Sequence, residues 1–221
     1  ISSVGNIKFD KLIKLAESYF GQAPTSKRND RRQQFRDYVP ATRLEEKDTF
    51  QSHCIIGNIA FDIMHPQRLT MVLLNNIIGG QAMNSRLNMA LRERKGMAYN
   101  IESGYSAYSD TGIFNVYFGT DKENLEKASD LVLKEFKLLR EKKLGVLQLS
   151  KALKQLIGQI AISTENREDL MLTIGKSYLF FNRVESMQTI FNKIEAITPS
   201  DLLEAANEVL APDQLSRLIY R

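Results

Sequence analysis

A pair of glycines, Gly79-Gly80, and a single glycine, Gly96, bracket a short stretch that constrains the fold more than any other part of the chain. A glycine pair is expected where the backbone must turn and a Cβ would be strained. Asn84 or Ser85 is then placed to cap a helix, because a short side-chain oxygen satisfies the free N–H groups of a first turn. Leu87, Ala90 and Leu91 recur at spacings of three and four, which gives that helix one buried face. Arg86 and the run Arg92–Lys95 fall mostly on its other faces. Gly96 suits the left-handed residue that ends a helix. Two β-favouring runs follow, Met97–Tyr108 and Gly112–Gly119, joined by the turn residues Ser109-Asp110-Thr111-Gly112. A helix delivered onto a β-hairpin is the expected result, with Arg92 and Tyr99 flanking a glycine elbow.

The rest of the chain supplies more elements of both kinds. Thr49–Phe61 is apolar and β-favouring, and Leu215–Tyr220 reads as a closing strand. Phe9, Leu12, Ile13, Ala16 and Phe20 repeat at helical spacing up to Gly21, and Pro66 opens a helix through Leu69, Leu73 and Ile77. Thr120-Asp121-Lys122-Glu123 has the form of a capping box before Leu125, Ala128, Val132 and Phe136. Gly145 separates that helix from another through Leu149, Leu153, Leu156 and Ile160. Further helices are expected over Leu170–Phe181 and Met187–Ile194, and one after Thr198-Pro199-Ser200-Asp201. These elements define an α+β fold: an antiparallel sheet with helices packed on one face.

Composition narrows the function classes. Of the 221 residues, 43% are apolar, which suffices for a core, and no run approaches the roughly eighteen apolar residues that cross a membrane. A net charge of +4 does not by itself mark a nucleic-acid binder. Arg28, Arg31, Arg32 and Arg36 form a basic strip, but Asp30 and Asp37 interrupt it, and a solvated connector is the better reading. One cysteine, Cys54, excludes an internal disulfide and a cysteine-rich zinc site. The two histidines, His53 and His65, match neither His-Glu-x-x-His nor His-x-x-Glu-His. Structural roles are expected for both, and no catalytic zinc site in this stretch of chain.

The central segment resembles the C-terminal half of the pitrilysin/insulinase family of inverted zinc peptidases, which includes subunits like those of mitochondrial processing peptidase. Gly79, Gly80, Ser85, Arg86, Leu87, Leu91, Arg92, Glu93, Gly96 and Tyr99 carry the resemblance, with Asp110-Thr111-Gly112 at the hairpin turn. The resemblance implies a zinc metalloendopeptidase that cleaves unfolded peptides, its zinc and general base supplied by an N-terminal half or partner subunit. It also implies that Arg92 and Tyr99 bind the substrate backbone, and that the family's non-catalytic partner or structural subunits are the alternative. By the same resemblance, residues 1–23 are a remnant strand and helix of the preceding half-domain, 24–48 a linker, and 49–221 the C-terminal domain. If Ile1–Val4 is a strand cut from its sheet, its edges would seek a partner, including a second copy of the chain.

Overall fold

The computed structural model describes residues 1–24 and 33–221, which fall into two compact units. The expected strip residues Arg28, Arg31 and Arg32 lie outside the described residues. The larger unit comprises Phe35–Leu156 and Gln188–Arg221. Its five strands are β1 (Thr42–Glu45), β2 (Ser52–Ala60), β3 (Asn100–Ala107), β4 (Gly112–Thr120) and β5 (Ser216–Tyr220). They form one sheet in the order β1-β5-β2-β4-β3. Three of the four pairings are antiparallel, and β1 runs parallel to β5. That parallel edge departs from the purely antiparallel sheet expected from the sequence.

One face of the sheet is covered by helices. Along β2, Ser52, Cys54, Ile56 and Asn58 are buried while Ile55 and Ile59 are exposed, the alternation of a strand with one covered face. Helix α2 (Arg68–Gly79) lies against β3, and α3 (Leu125–Glu141) and α7 (Pro199–Val209) against β2. Phe114 of β4 meets Phe136 of α3 with ring centroids 5.9 Å apart, and both are closed off from solvent. Asn58 ties the sheet to the end of α7 by donating from its side-chain amide to the Val209 carbonyl at 2.8 Å.

Helices α4 (Val146–Ser163), α5 (Arg167–Phe181) and α6 (Met187–Glu195) complete the set begun by α1 (Phe9–Phe20). The smaller unit comprises Ile1–Gln34 and Ile157–Met187, and so contains α1, α5 and the end of α4. Within it the N-terminal segment lies along α5. Ser2 donates its hydroxyl to the Met171 carbonyl at 2.7 Å, and a Cβ on Gly175 would stand 3.1 Å from that of Ser2.

Four local expectations need correction. Ile1–Val4 is not a strand in this structure. The stretch 24–48, expected to be a linker throughout, contains β1, which has no buried residue and therefore no apolar pattern to announce it. Thr120 does not cap a helix: it is buried as the last residue of β4 and donates its hydroxyl to the Met97 carbonyl. The capping box is instead realised at Thr198, which accepts from the Asp201 amide at 3.2 Å while Asp201 accepts from the Thr198 amide at 2.8 Å.

The fourth correction concerns Gly79-Gly80. Gly80 has φ −60°, an ordinary value for any residue, so the backbone angle is not what calls for glycine. Close approach is. A Cβ on Gly79 would fall 2.9 Å from the Ser103 amide nitrogen of β3, and one on Gly80 2.8 Å from the Asn76 carbonyl oxygen.

Candidate functional site

The segment between the glycines packs as its apolar spacing predicts. Leu87 and Leu91 are fully buried and Ala90 is nearly so. Its backbone, however, is not a simple α-helix. Asn88–Glu93 forms a π-helical turn, in which Arg94 N–H reaches the Met89 carbonyl at 3.2 Å. Such turns hold one extra residue and recur at functional sites. No residue type in the sequence signals it. Neither expected cap residue serves the turn: Ser85 is buried and its hydroxyl accepts from the Asn88 side-chain amide at 2.8 Å, and Asn84 donates to Gln155.

Gly96 ends the segment at φ +60°, the left-handed value that its position called for. Its N–H bonds the Arg92 carbonyl at 3.0 Å, and Met97 N–H reaches back to Leu91 at 2.8 Å. Ala98 is buried, and Tyr99 N–H then bonds the Gly119 carbonyl at 3.1 Å, which starts the hairpin. The elbow therefore fixes the backbone at both ends of the Arg92-to-Tyr99 stretch.

Both candidate side chains face solvent. The Arg92 side chain is 50% exposed, its Nε lying 3.6 Å from the carboxylate of neighbouring Glu93. Tyr99 is 63% exposed, and its hydroxyl stands 3.5 Å from the Asp121 carboxylate at the end of β4. These contacts are long and exposed, so both side chains keep donors to offer a ligand. Arg86 is committed to a 2.8 Å ion pair with Glu135 of α3, which anchors the π-helical segment to the helical layer.

That anchor borders a groove of about 360 Å³ lined by Asn76, Asn84, Arg86, Gln148, Lys151 and Gln155. Gln155 bridges it, donating to Asn76 at 3.0 Å and accepting from Asn84 at 2.9 Å. Sequence periodicity gave no hint of this amide relay, because its members come from three separate segments.

The histidines have separate partners. His53 Nδ1 and the Tyr117 hydroxyl are 2.8 Å apart, whereas His65 stacks on Phe61 at 4.0 Å and accepts from the Gln67 amide. Among the described residues no three of His, Cys, Asp and Glu come together in a way that could hold a metal ion. The donor set here does not fit zinc. No helix of the described residues is long and apolar enough to cross a membrane.

Comparisons with known proteins agree with this architecture. The family model described as the peptidase M16 inactive domain matches residues 1–156. The chain is 27% identical over 219 residues to the "Uncharacterized zinc protease YmxG" of Bacillus subtilis, covering 99% of this chain and 53% of that protein. It is 29% identical over 226 residues to the "Probable mitochondrial-processing peptidase subunit beta" of Schizosaccharomyces pombe, covering 95% of this chain and 48% of that one. The crystal structure of a peptidase M16 inactive domain from Pseudomonas fluorescens superposes with a TM-score of 0.88 at 19% identity, over 98% of this chain and 52% of the other. The chain thus spans about half the length of the curated relatives it matches. With its five-stranded sheet, its helical layer and its glycine-bracketed segment, it belongs to the peptidase M16 family, as an inactive domain of that family's zinc-protease-like proteins.

Proposed function

We propose that this chain is the substrate-binding half of a zinc metalloendopeptidase acting on unfolded peptides. The carrying observation is the exposed Arg92–Tyr99 pair, held at the two ends of a rigid glycine elbow within the segment that resembles the family. Zinc and the general base belong to the half that this chain does not span, and there the metal would activate the attacking water. The residues of this chain bind and orient. The guanidinium of Arg92 offers several donors in a fixed plane, suited to peptide carbonyl oxygens. The phenol of Tyr99 offers one O–H, suited to a carbonyl whose oxygen gains negative charge.

Unfolded peptides are the natural ligand of such a pair, because only an extended chain presents its backbone carbonyls free. The name of the fission-yeast relative supports a second reading, in which this chain is a subunit that lends the same pair to a separate partner. The test is Arg92→Ala in the complete protein, assayed with an unstructured peptide, with and without chelator. Turnover should fall far more than stability does. Normal turnover would remove Arg92 from the site, and a wild-type protein with neither zinc nor cleavage would favour the partner-subunit reading.

A further inference from the structure

The groove bordered by α2, the π-helical segment and the start of α4 holds more positive charge than its own residues neutralise. Arg86, Arg94 and Lys151 line it, against the single carboxylate of Glu135. That carboxylate is already engaged. It accepts from Arg86 Nε at 2.8 Å, which fixes the guanidinium and leaves its two terminal amino groups without a partner among the described residues. The side chains of Arg94 and Lys151 are exposed and have neither an ion pair nor a hydrogen bond among those residues. Gln148 accepts from the Gly145 amide at 3.2 Å, so its own side-chain N–H groups remain to be used. Elsewhere in this unit arginines are paired, as Arg217 is with Glu126 and Arg221 with Glu46.

We propose that this groove binds a small organic anion through its carboxylate or phosphate group. A planar guanidinium presents N–H donors at the spacing of two oxyanion oxygens, and an ammonium adds a mobile point charge. Gln148 and Lys151 lie in the first two turns of α4, an 18-residue helix whose N-terminal dipole favours negative charge. Ile77, Met89, Leu144 and Ala152 give the carbon frame of such a ligand apolar contact. A volume of about 360 Å³ is near the lower end of small-ligand pockets, which suits a compact molecule.

The walls are set before any ligand arrives. Gln155 donates to Asn76 at 3.0 Å and accepts from Asn84 at 2.9 Å, which ties α4 to the end of α2 and to the turn before Arg86. Buried Ser85 accepts from Asn88 at 2.8 Å and pins the same turn from within. Cations on an open surface swing freely, and an anion that orders them gains little. Here Arg86 is already oriented by Glu135, and the relay holds the backbone that carries it, so less freedom is lost on binding.

Isothermal titration calorimetry of the natural full-length protein, with inorganic phosphate and with succinate at low ionic strength, tests this. At least one of the two probes should saturate a single site per chain, and the probe that does so names the head group. Arg94→Gln and Lys151→Gln should each weaken that binding by about tenfold or more, since each removes a charge-assisted hydrogen bond. Both side chains are exposed and unbonded, so neither substitution should move the thermal midpoint appreciably. Lys137→Gln removes an exposed cation of α3 that does not line the groove, and should leave the affinity unchanged. Failure of both probes to bind would overturn the proposal. So would binding that Lys137→Gln weakens equally, which is diffuse charge attraction, or binding that neither groove substitution weakens. Zinc content and peptide turnover play no part in these readouts, so the outcome is independent of the peptidase reading.

Discussion

The amide nitrogen of Ser103 lies 2.9 Å from the point where a side chain on Gly79 would begin. The Ser103 hydroxyl also donates to the Asn75 carbonyl at 2.9 Å, so strand β3 and helix α2 touch backbone to backbone. This contact sets the height at which the hairpin meets the helical layer. Gly79→Ala should therefore lower stability by roughly 1–3 kcal/mol, since neither backbone can yield without disturbing the packing. Urea unfolding followed by circular dichroism measures it, and an unchanged midpoint would contradict the contact.

Tyr99→Phe separates binding chemistry from folding. The hydroxyl has only a long, exposed contact with Asp121, so its removal should change stability by no more than about 0.5 kcal/mol. Turnover of an unstructured peptide by the complete protein should fall by about a hundredfold if the hydroxyl steadies a developing oxyanion. Equal turnover by both proteins would confine Tyr99 to a packing role.

Tyr105 should titrate late. Burial is the main influence on its phenol, with Arg68 opposing and Asp62 assisting, and the hydroxyl is pushed up to about 12. It also donates to the Phe61 carbonyl at 2.7 Å, a bond available only to the protonated form. Because the folded value lies above the unfolded one of about 10, the stabilisation is complete below pH 10 and is lost as pH rises toward 12. Ultraviolet difference titration should show one tyrosine ionising after the others, and Tyr105→Phe should abolish that last step at a cost of about 1 kcal/mol in stability.

Cys54 should be inert in the folded protein. It is fully buried on the helical side of β2, and burial pushes its thiol up, outweighing nearby Arg217. Arg217 itself is held by Glu126 at 3.1 Å and by Ser129 at 2.7 Å. A thiol reagent at pH 8 should label native protein far more slowly than urea-unfolded protein. The neutral thiol favours the fold, so its contribution is present below the ordinary thiol range of about 8.5 and fades as pH rises above it. Rapid native labelling would mean that the β2–α3 contact opens readily.

Much of this was legible in the sequence, and particular residues explain why. Leu87, Ala90 and Leu91 repeat at helical spacing, and they are buried as that spacing requires. Gly96 stands where a left-handed residue must end the segment, and it takes φ +60°. Asp110-Thr111-Gly112 stands at the turn of the hairpin, where β3 and β4 pair antiparallel from Asn100 with Gly119 to Ala107 with Gly112. Periodicity and turn chemistry are local properties, so neighbouring residues encode them directly.

Other features depend on partners distant in the chain, and these only the tertiary structure decided. Strand β1 exists because β5, far away in sequence, offers it a parallel edge, while its own residues stay mostly exposed. Thr120 had every local mark of a helix cap, but the Met97 carbonyl claimed its hydroxyl once the hairpin closed. Gly79 was readable as a turn glycine, but close approach of Ser103 is what requires it. The sequence by itself determined most of the helices, the strands β2 to β5, the glycine elbow and the residues at its two ends. Which surfaces those elements cover followed only from long-range contacts that no local pattern encodes.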